Sequence, residues 1–354
     1  MPARTSDGGR MYEIRISSRE VDVIEELLAR MTERYRTVED EEFLRNVNVH
    51  AHELPVTVRR GLAEFRLSEP AGVCLVTGFP VDDTAIGATP RHWAGAEETR
   101  RASAREEFYF TLCASLLGDV FGWASQQGGR LMHEVVPVRG HESRQINSSS
   151  DATLLWHTED AFHPYRADYV ALMCLRNPGA TETTYACLDD VVVSGEVRDI
   201  LAQPRFVLRP DESHRPENAD PALVSGPGLT SVARRSYARI ERLLRNPEKT
   251  PVLFGDLSSP YVRLDSDAVD WDIDDPEALS ALRVFVEAID TAIVGYSMHP
   301  GELLFVDNYR AVHGRRTFAA AFDGNDRWLK RLNISRDLRR SRDARTASDA
   351  RVVY

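Results

Sequence analysis

His157 and Glu159 stand two residues apart in the stretch Trp156-His157-Thr158-Glu159-Asp160. Side chains alternate between the faces of a strand, so an imidazole and a carboxylate at this spacing point the same way. They are two of the three ligands of a 2-His-1-carboxylate facial triad, which holds iron and leaves coordination positions open for substrate and oxygen. A second histidine must complete it. The candidate is His313, in Asp307-Asn308-Tyr309-Arg310-Ala311-Val312-His313-Gly314-Arg315, where it follows an apolar strand and Gly314 leaves room beside it.

Two further stretches say what such a metal would work on. In Arg327-Trp328-Leu329-Lys330-Arg331-Leu332-Asn333, residues Arg327, Leu329, Arg331 and Asn333 share one strand face. A buried guanidinium without an anion is costly, and arginine matches a carboxylate with two parallel hydrogen bonds. Two arginines lining a pocket therefore ask for a ligand bearing carboxylates. The acidic run Asp265-Ser266-Asp267-Ala268-Val269-Asp270-Trp271-Asp272 has the opposite character. If it is extended, Asp265 and Asp267 face one side and can clamp a planar cation. Taken alone, the run reads as a solvated loop.

Several blocks in order, AHELP at 51–55, LLGDVFGWASQQGGR at 116–130, WHTEDAFHPYRADYV at 156–170, then VDNYRAVHGRR and DGNDRWLKRLNISRDL, are specific together. The chain resembles the clavaminate synthase-like iron(II)/2-oxoglutarate oxygenases from about residue 40 to about residue 343. Within them it resembles the arginine 3-hydroxylase of viomycin biosynthesis and the enduracididine hydroxylases. The resemblance implies a distorted double-stranded β-helix, or jelly roll. It implies Fe(II) on His157, Glu159 and His313, with 2-oxoglutarate and O2 as cosubstrates. Arg327, fourteen residues after His313, matches the arginine that grips the distal carboxylate of 2-oxoglutarate, and Thr183 the threonine that assists it. Arg331 matches an arginine near the amino-acid carboxylate; Gln126 and Glu159 match residues near the α-amino group. Asn147 falls where the arginine hydroxylase has serine. Asp265 and Asp267 match the pair that holds the guanidinium.

The implied activity is hydroxylation of a free guanidino amino acid, L-arginine at C3 foremost, in peptide antibiotic biosynthesis. The alternatives are a cyclic arginine derivative such as enduracididine, a 3,4-dihydroxylation, an amino acid tethered to a carrier protein, and a non-catalytic metal-containing β-barrel. The carboxylate Glu159 argues against halogenation, which needs a small residue there to leave space for halide.

The rest of the chain must position these groups. Its 354 residues suffice for one large domain, read as 11–340, mainly β with flanking helices (α+β). Residues 1–10 read as a disordered N-terminus and 341–354 as a polar tail. Ser17 and Glu20 form a capping box for a helix bearing Val21, Ile24, Leu28 and Met31 on one face. Residues 71–79, 169–175, 183–185, 303–306 and 327–335 read as strands, 104–118 as a helix, and 82–102 and 121–130 as loop and turn. A helix begins after Asp275 with Pro276 at its first position. The polar segment around 211–235 reads as a lid, and 231–245 as a helix with a solvated basic face. His50 and His52 read as polar loop histidines.

The net charge of −11 argues against a nucleic-acid partner. No run of about 18 apolar residues spans a membrane, and the four cysteines read as reduced core thiols of a cytoplasmic protein. The expected partner is a small amino acid, with a homodimer allowed for.

Overall fold

The computed structural model describes residues 3–4, 10–94, 97–215 and 231–354. In chain order the described strands are β1 (Ala3–Arg4), β2 (Arg10–Arg15), β3 (Val73–Thr77), β4 (Asp119–Trp123), β5 (His133–Val135), β6 (Leu154–His157), β7 (Tyr169–Arg176) and β8 (Thr183–Cys187). After the short strands β9 (Phe206–Val207), β10 (Lys249–Thr250), β11 (Leu253–Phe254) and β12 (Tyr261–Val262) come β13 (Val294–Tyr296), β14 (Leu303–Asp307), β15 (Ala311–Arg315), β16 (Trp328–Ser335) and β17 (Val352–Val353). The helices are α1 (Ser18–Arg34), α2 (Glu41–Ala51), α3 (Val56–Ser68), α4 (Glu97–Ala102), α5 (Ala104–Ser115), α6 (Gly195–Leu201), α7 (Ser231–Arg245) and α8 (Pro276–Ala292).

Two sheets carry the candidate residues. The larger runs β1-β2-β3-β14-β7-β16-β4-β17, with β5 paired to the first half of β16. The smaller runs β13-β8-β15-β6. The central strands β14 and β7 are buried at every position. That is why their sequences, LLFVD and YVALMCLR, read as nearly unbroken apolar runs rather than alternations. Leu75, Leu172, Leu304 and Leu329 of the large sheet pack with Tyr185, Cys187 and Ala311 of the small one. On the outer face of the large sheet, α1, α2, α3 and α5 bury Ile24, Phe43, Leu62 and Phe108 against it. The small sheet is backed by α6 and α8 through Leu201, Leu282 and Phe285. The two arginines thus come from one sheet and the two histidines from the other, with a shared interior between them.

Several expectations hold in detail. The Ser17 amide donates to Glu20 Oε2 (2.9 Å), and Ile24, Leu28 and Met31 are buried. Asp275 Oδ1 accepts from the Ala278 amide (3.1 Å) at the start of α8. The basic face of α7 is largely exposed at Arg234, Arg235, Arg242 and Arg245.

Others need correction. His50 and His52 end α2 instead of lying in a loop, and His50 Nε2 lies 3.0 Å from the Tyr35 hydroxyl. Residues 97–102, expected as loop, form α4. Phe121–Trp123 extend β4 and do not turn, because β16 and the C-terminal β17 pair with them. The polar segment 341–354 is built into the sheet: β17 runs parallel to β4, and buried Arg345 donates to the carbonyls of Leu338, Ser348 and Ala350. A polar segment can be ordered this way because backbone carbonyls satisfy its guanidinium, a pairing that composition does not reveal.

Of the segment read as a lid, only 211–215 and 231–235 lie among the described residues. Of the expected N-terminal tail, residues 1–2 and 5–9 lie outside them, and Ala3 and Arg4 pair with Met11 and Arg10. No helix among the described residues is long and apolar enough to cross a membrane.

Candidate active site

His157 ends β6, and His313 sits opposite it on β15, the two being direct partners in the antiparallel ladder. Directly opposed residues share a face, and the two imidazole centroids are 4.6 Å apart. Glu159 lies just past the end of β6, and two contacts keep its backbone extended. The Thr158 amide donates to the Leu264 carbonyl (2.8 Å). Asn308 accepts from the Glu159 amide (2.7 Å) and donates to its carbonyl (3.0 Å). The two-residue periodicity therefore survives where the ladder has stopped. Glu159 Oε2 lies 3.7 Å from His157 Nε2 and 3.4 Å from His313 Nε2.

These three side chains place one donor atom each within 4.8 Å of the others. Glu159 Oε2 is buried and has no hydrogen-bond partner. The Nδ1 of His157 faces the Leu155 carbonyl at 2.8 Å, so Nδ1 carries a hydrogen and Nε2 is the ring nitrogen turned inward, the one that a metal would take. Burial alone would raise the Glu159 carboxyl, but Arg331 and the two imidazoles outweigh it and hold it well below the usual range. Burial disfavours the His157 cation, yet Glu159 and Asp265 overcome this and lift it to about 9. His313, dominated by burial, is lowered.

Arg331, on β16, donates through Nη1 to Glu159 Oε1 and through Nη2 to Gln126 Oε1 (2.9 Å) and His133 Nδ1 (2.9 Å). The carboxylate of Glu159 is thus divided, with Oε1 on arginine and Oε2 on the side of the histidines. Gln126 Nε2 in turn donates to Ser213 Oγ (2.7 Å). Arg327, just ahead of β16, is 6 % exposed and has no carboxylate beside it among the described residues. Its Nη2 donates to Thr183 Oγ1 (3.3 Å), its Nε has no partner, and burial pushes it down to about 10.

One small cavity, about 90 Å³, is lined by the triad together with Arg327, Arg331, Thr183, Asn147, Asp265 and Asp267. Gln126 lines instead an adjoining cavity of about 1460 Å³, which Asn147 and Arg331 also reach. The condition attached to the acidic run is not met. Asp265 pairs across to His157, but Asp265 Oδ1 then accepts from the amides of Asp267 (2.9 Å) and Ala268 (3.1 Å), and the run turns. An aspartate that captures amides two and three residues on drives a turn by itself. Both carboxylates still reach the cavity, Asp265 buried and Asp267 exposed. Burial lifts Asp265 to about 6 against the opposing pull of His157.

Sequence reasoning missed three groups. Asp211 lines the small cavity from the base of the expected lid, and nothing in a long polar segment distinguishes that acid. His214, buried at 1 % exposure, faces Asp160 Oδ1 at 2.6 Å and Ser125 Oγ at 2.7 Å. It ties 211–215 to the turn after Glu159, where Asp160 adopts φ +52°. Arg315, two residues after His313 on the same strand, also lines the cavity. Its spacing could have flagged it, since period two puts it on the face of His313.

Among curated proteins, the chain is 45% identical over 347 residues to enduracididine beta-hydroxylase of Streptomyces hygroscopicus, covering 97% of this chain and 100% of that one. It is 42% identical over 345 residues to L-ornithine/L-arginine 3-hydroxylase of Catenulispora acidiphila, with 97% and 100% covered. To clavaminate synthase 2 of Streptomyces clavuligerus it is 29% identical over 299 residues, 83% of this chain and 84% of that one. The non-heme iron oxygenase OrfP, solved with Fe, succinate and (3S)-hydroxy-L-Arg, superposes with a TM-score of 0.91 at 38% identity, covering 97% of this chain and 99% of that one. OrfP solved with Fe and alpha-ketoglutaric acid gives a TM-score of 0.85 at 36% identity, with 97% and 100% covered. No family model matches the chain.

Proposed function

The chain belongs to the clavaminate synthase-like non-haem iron oxygenases, and from that premise we propose that it hydroxylates C3 of a free guanidino amino acid, L-arginine foremost. The observation that carries the reading is the composition of one cavity. A His/Glu/His triad shares it with Arg327, which has no anion beside it among the described residues, and with a pair of carboxylates, Asp265 and Asp267. A dicarboxylate answers the first and a guanidinium the second. The two facing sheets are read as a distorted double-stranded β-helix, with the site between them.

The residues fit the groups they would hold. Glu159 Oε2 is a buried carboxylate oxygen with no partner, turned toward two imidazole nitrogens. Such an atom is costly unless a cation occupies the position. Fe(II) would sit on His157, Glu159 and His313 and, with 2-oxoglutarate and O2, supply the oxidation that converts C–H to C–OH, leaving succinate and CO2. The chain's own contribution is position. Arg327 and Thr183 anchor the far carboxylate of 2-oxoglutarate. Arg331 orients Glu159 and stands ready for the amino-acid carboxylate, with Gln126 and Asn147 beside it. Asp265 and Asp267 take the guanidinium and so fix which carbon faces the triad.

The test is turnover of the Fe(II)-loaded protein with 2-oxoglutarate in air. L-arginine, enduracididine, ornithine, homoarginine and lysine are offered separately, and products are read by mass spectrometry and NMR. Expected is one oxygen added to arginine at C3, with one succinate per product. If ornithine or lysine is oxidised faster than any guanidino substrate, the carboxylate pair does not select the guanidinium and the reading fails. Faster turnover of enduracididine, or a second oxygen on arginine, moves the assignment to the cyclic substrate or to 3,4-dihydroxylation.

A further inference from the structure

Arg315 has no assigned role, yet it is buried in the cavity at 3 % exposure. Its Nη2 donates to Ser149 Oγ (2.9 Å) and to the Ala152 carbonyl (2.9 Å). Its Nε and Nη1 are buried with no partner, and no carboxylate is paired with it among the described residues. A fixed guanidinium carries five donors, so a large part of this one is unspent inside the protein, where unpaired donors are expensive.

Its surroundings point to what would satisfy it. On β15, Arg315 is the direct ladder partner of Thr183 on β8. Opposed residues in an antiparallel pair have Cβ atoms about 5 Å apart on one face. Arg327 reaches the same Thr183 from the other sheet through Nη2 (3.3 Å). The Phe318 ring lies between the two arginines' reach, 4.9 Å from the Arg315 guanidinium carbon and 6.0 Å from that of Arg327. Two buried guanidinium groups beside one threonine and one ring, neither with an anion among the described residues, make a single site of double positive charge.

We propose that Arg315 is a second anchor for the distal carboxylate of 2-oxoglutarate, sharing it with Arg327 and Thr183 while Phe318 walls the site. This rests on the oxygenase reading above. Two arginines gripping one carboxylate select a dicarboxylate cosubstrate over a keto acid that ends in a methyl group. The alternative role, anchoring the loop at 149–152 through Nη2, makes no such demand.

The test compares 2-oxoglutarate with 2-oxobutyrate, which keeps the keto acid and lacks the distal carboxylate. Binding of each to the Mn(II)-loaded protein is measured anaerobically by titration calorimetry, so no turnover is involved. The wild type should prefer 2-oxoglutarate strongly. Arg315→Gln should shrink the ratio of the two affinities by about tenfold or more, chiefly through 2-oxoglutarate. Ser149→Ala, which loosens the loop and keeps the charge, should leave the ratio alone. A ratio in Arg315→Gln within about twofold of wild type, or an equal fall in Ser149→Ala, overturns the proposal. If Arg315→Gln does not fold, Arg315→Lys is read the same way, since ammonium keeps the charge without the planar fork. A wild type with no preference at all would refute the oxygenase reading itself.

Discussion

Glu159 uses its two oxygens for different purposes, and a similar division recurs in the acidic run. Arg331 takes Oε1, so Oε2 alone faces the histidines. Asp265 commits Oδ1 to the amides of Asp267 and Ala268, whereas Asp267 makes no side-chain hydrogen bond among the described residues. Asp265 thus shapes the turn, and Asp267 has the freer carboxylate for a guanidinium. Asp267→Asn should raise the Kd for arginine about tenfold, the loss of one charge-assisted pair near the surface, and leave the Kd for 2-oxoglutarate unchanged. Calorimetry on the Mn(II) protein reads both, and an unchanged arginine Kd would return the acidic run to a solvated turn. The histidine and glutamate were legible because strand alternation is a local rule that needs no knowledge of the partner strand. The turn at Asp265 was not, because whether an aspartate lies flat or captures its own amides depends on the pairing with His157.

At the scale of elements, the least legible feature is how α5 meets β16. The helix shows an apolar stripe, but every residue from Glu106 to Ser115 is buried. The reason lies across the interface. Lys330, with no exposed surface, donates to Glu107 Oε1 (2.7 Å) and Glu134 Oε1 (2.6 Å), and Trp328 Nε1 donates to Glu134 Oε2 (2.7 Å). Burial raises Glu107, with Lys330 pulling it back down, while the two carboxylates outweigh burial at Lys330 and raise it. Periodicity within one segment cannot show that a charged face finds its counterion about 200 residues away. Lys330→Met should cost about 3–5 kcal/mol, because it strands two buried carboxylates. Guanidinium denaturation of the metal-free protein measures this, and a loss below about 1 kcal/mol would mean that water already reaches the cluster. The position of β16 makes the cost relevant to the site, since Arg331 follows Lys330 on the opposite face of the same strand.

For the whole molecule, the buried acids set how stability responds to pH. Asp307 ends β14, where burial, reinforced by Glu69, pushes its pKa up to about 7, while the Tyr309 amide (3.0 Å) and Arg310 pull the other way. The unfolded chain releases this proton near pH 4, so between about 4 and 7 the folded state holds a proton that the unfolded state does not. Stability from this group is therefore fully present below about pH 4, falls as pH rises through that window, and is gone above it. His157, raised to about 9, adds a loss between its ordinary value near 6.5 and 9 in the metal-free protein. Glu159, held low, opposes both only at acid pH. His313, lowered by burial, works the other way below about 6.5, but Asp307 and His157 together should make the metal-free protein melt at a lower temperature at pH 8 than at pH 6. Asp307→Asn keeps the acceptor for the Tyr309 amide and removes the ionisation, so it should narrow that difference and melt higher than wild type at pH 8. Differential scanning calorimetry at the two pH values measures it. The same difference in both proteins would show that Asp307 is ionised in the fold at no cost, and that the net charge of −11, acting through surface repulsion, governs the response instead.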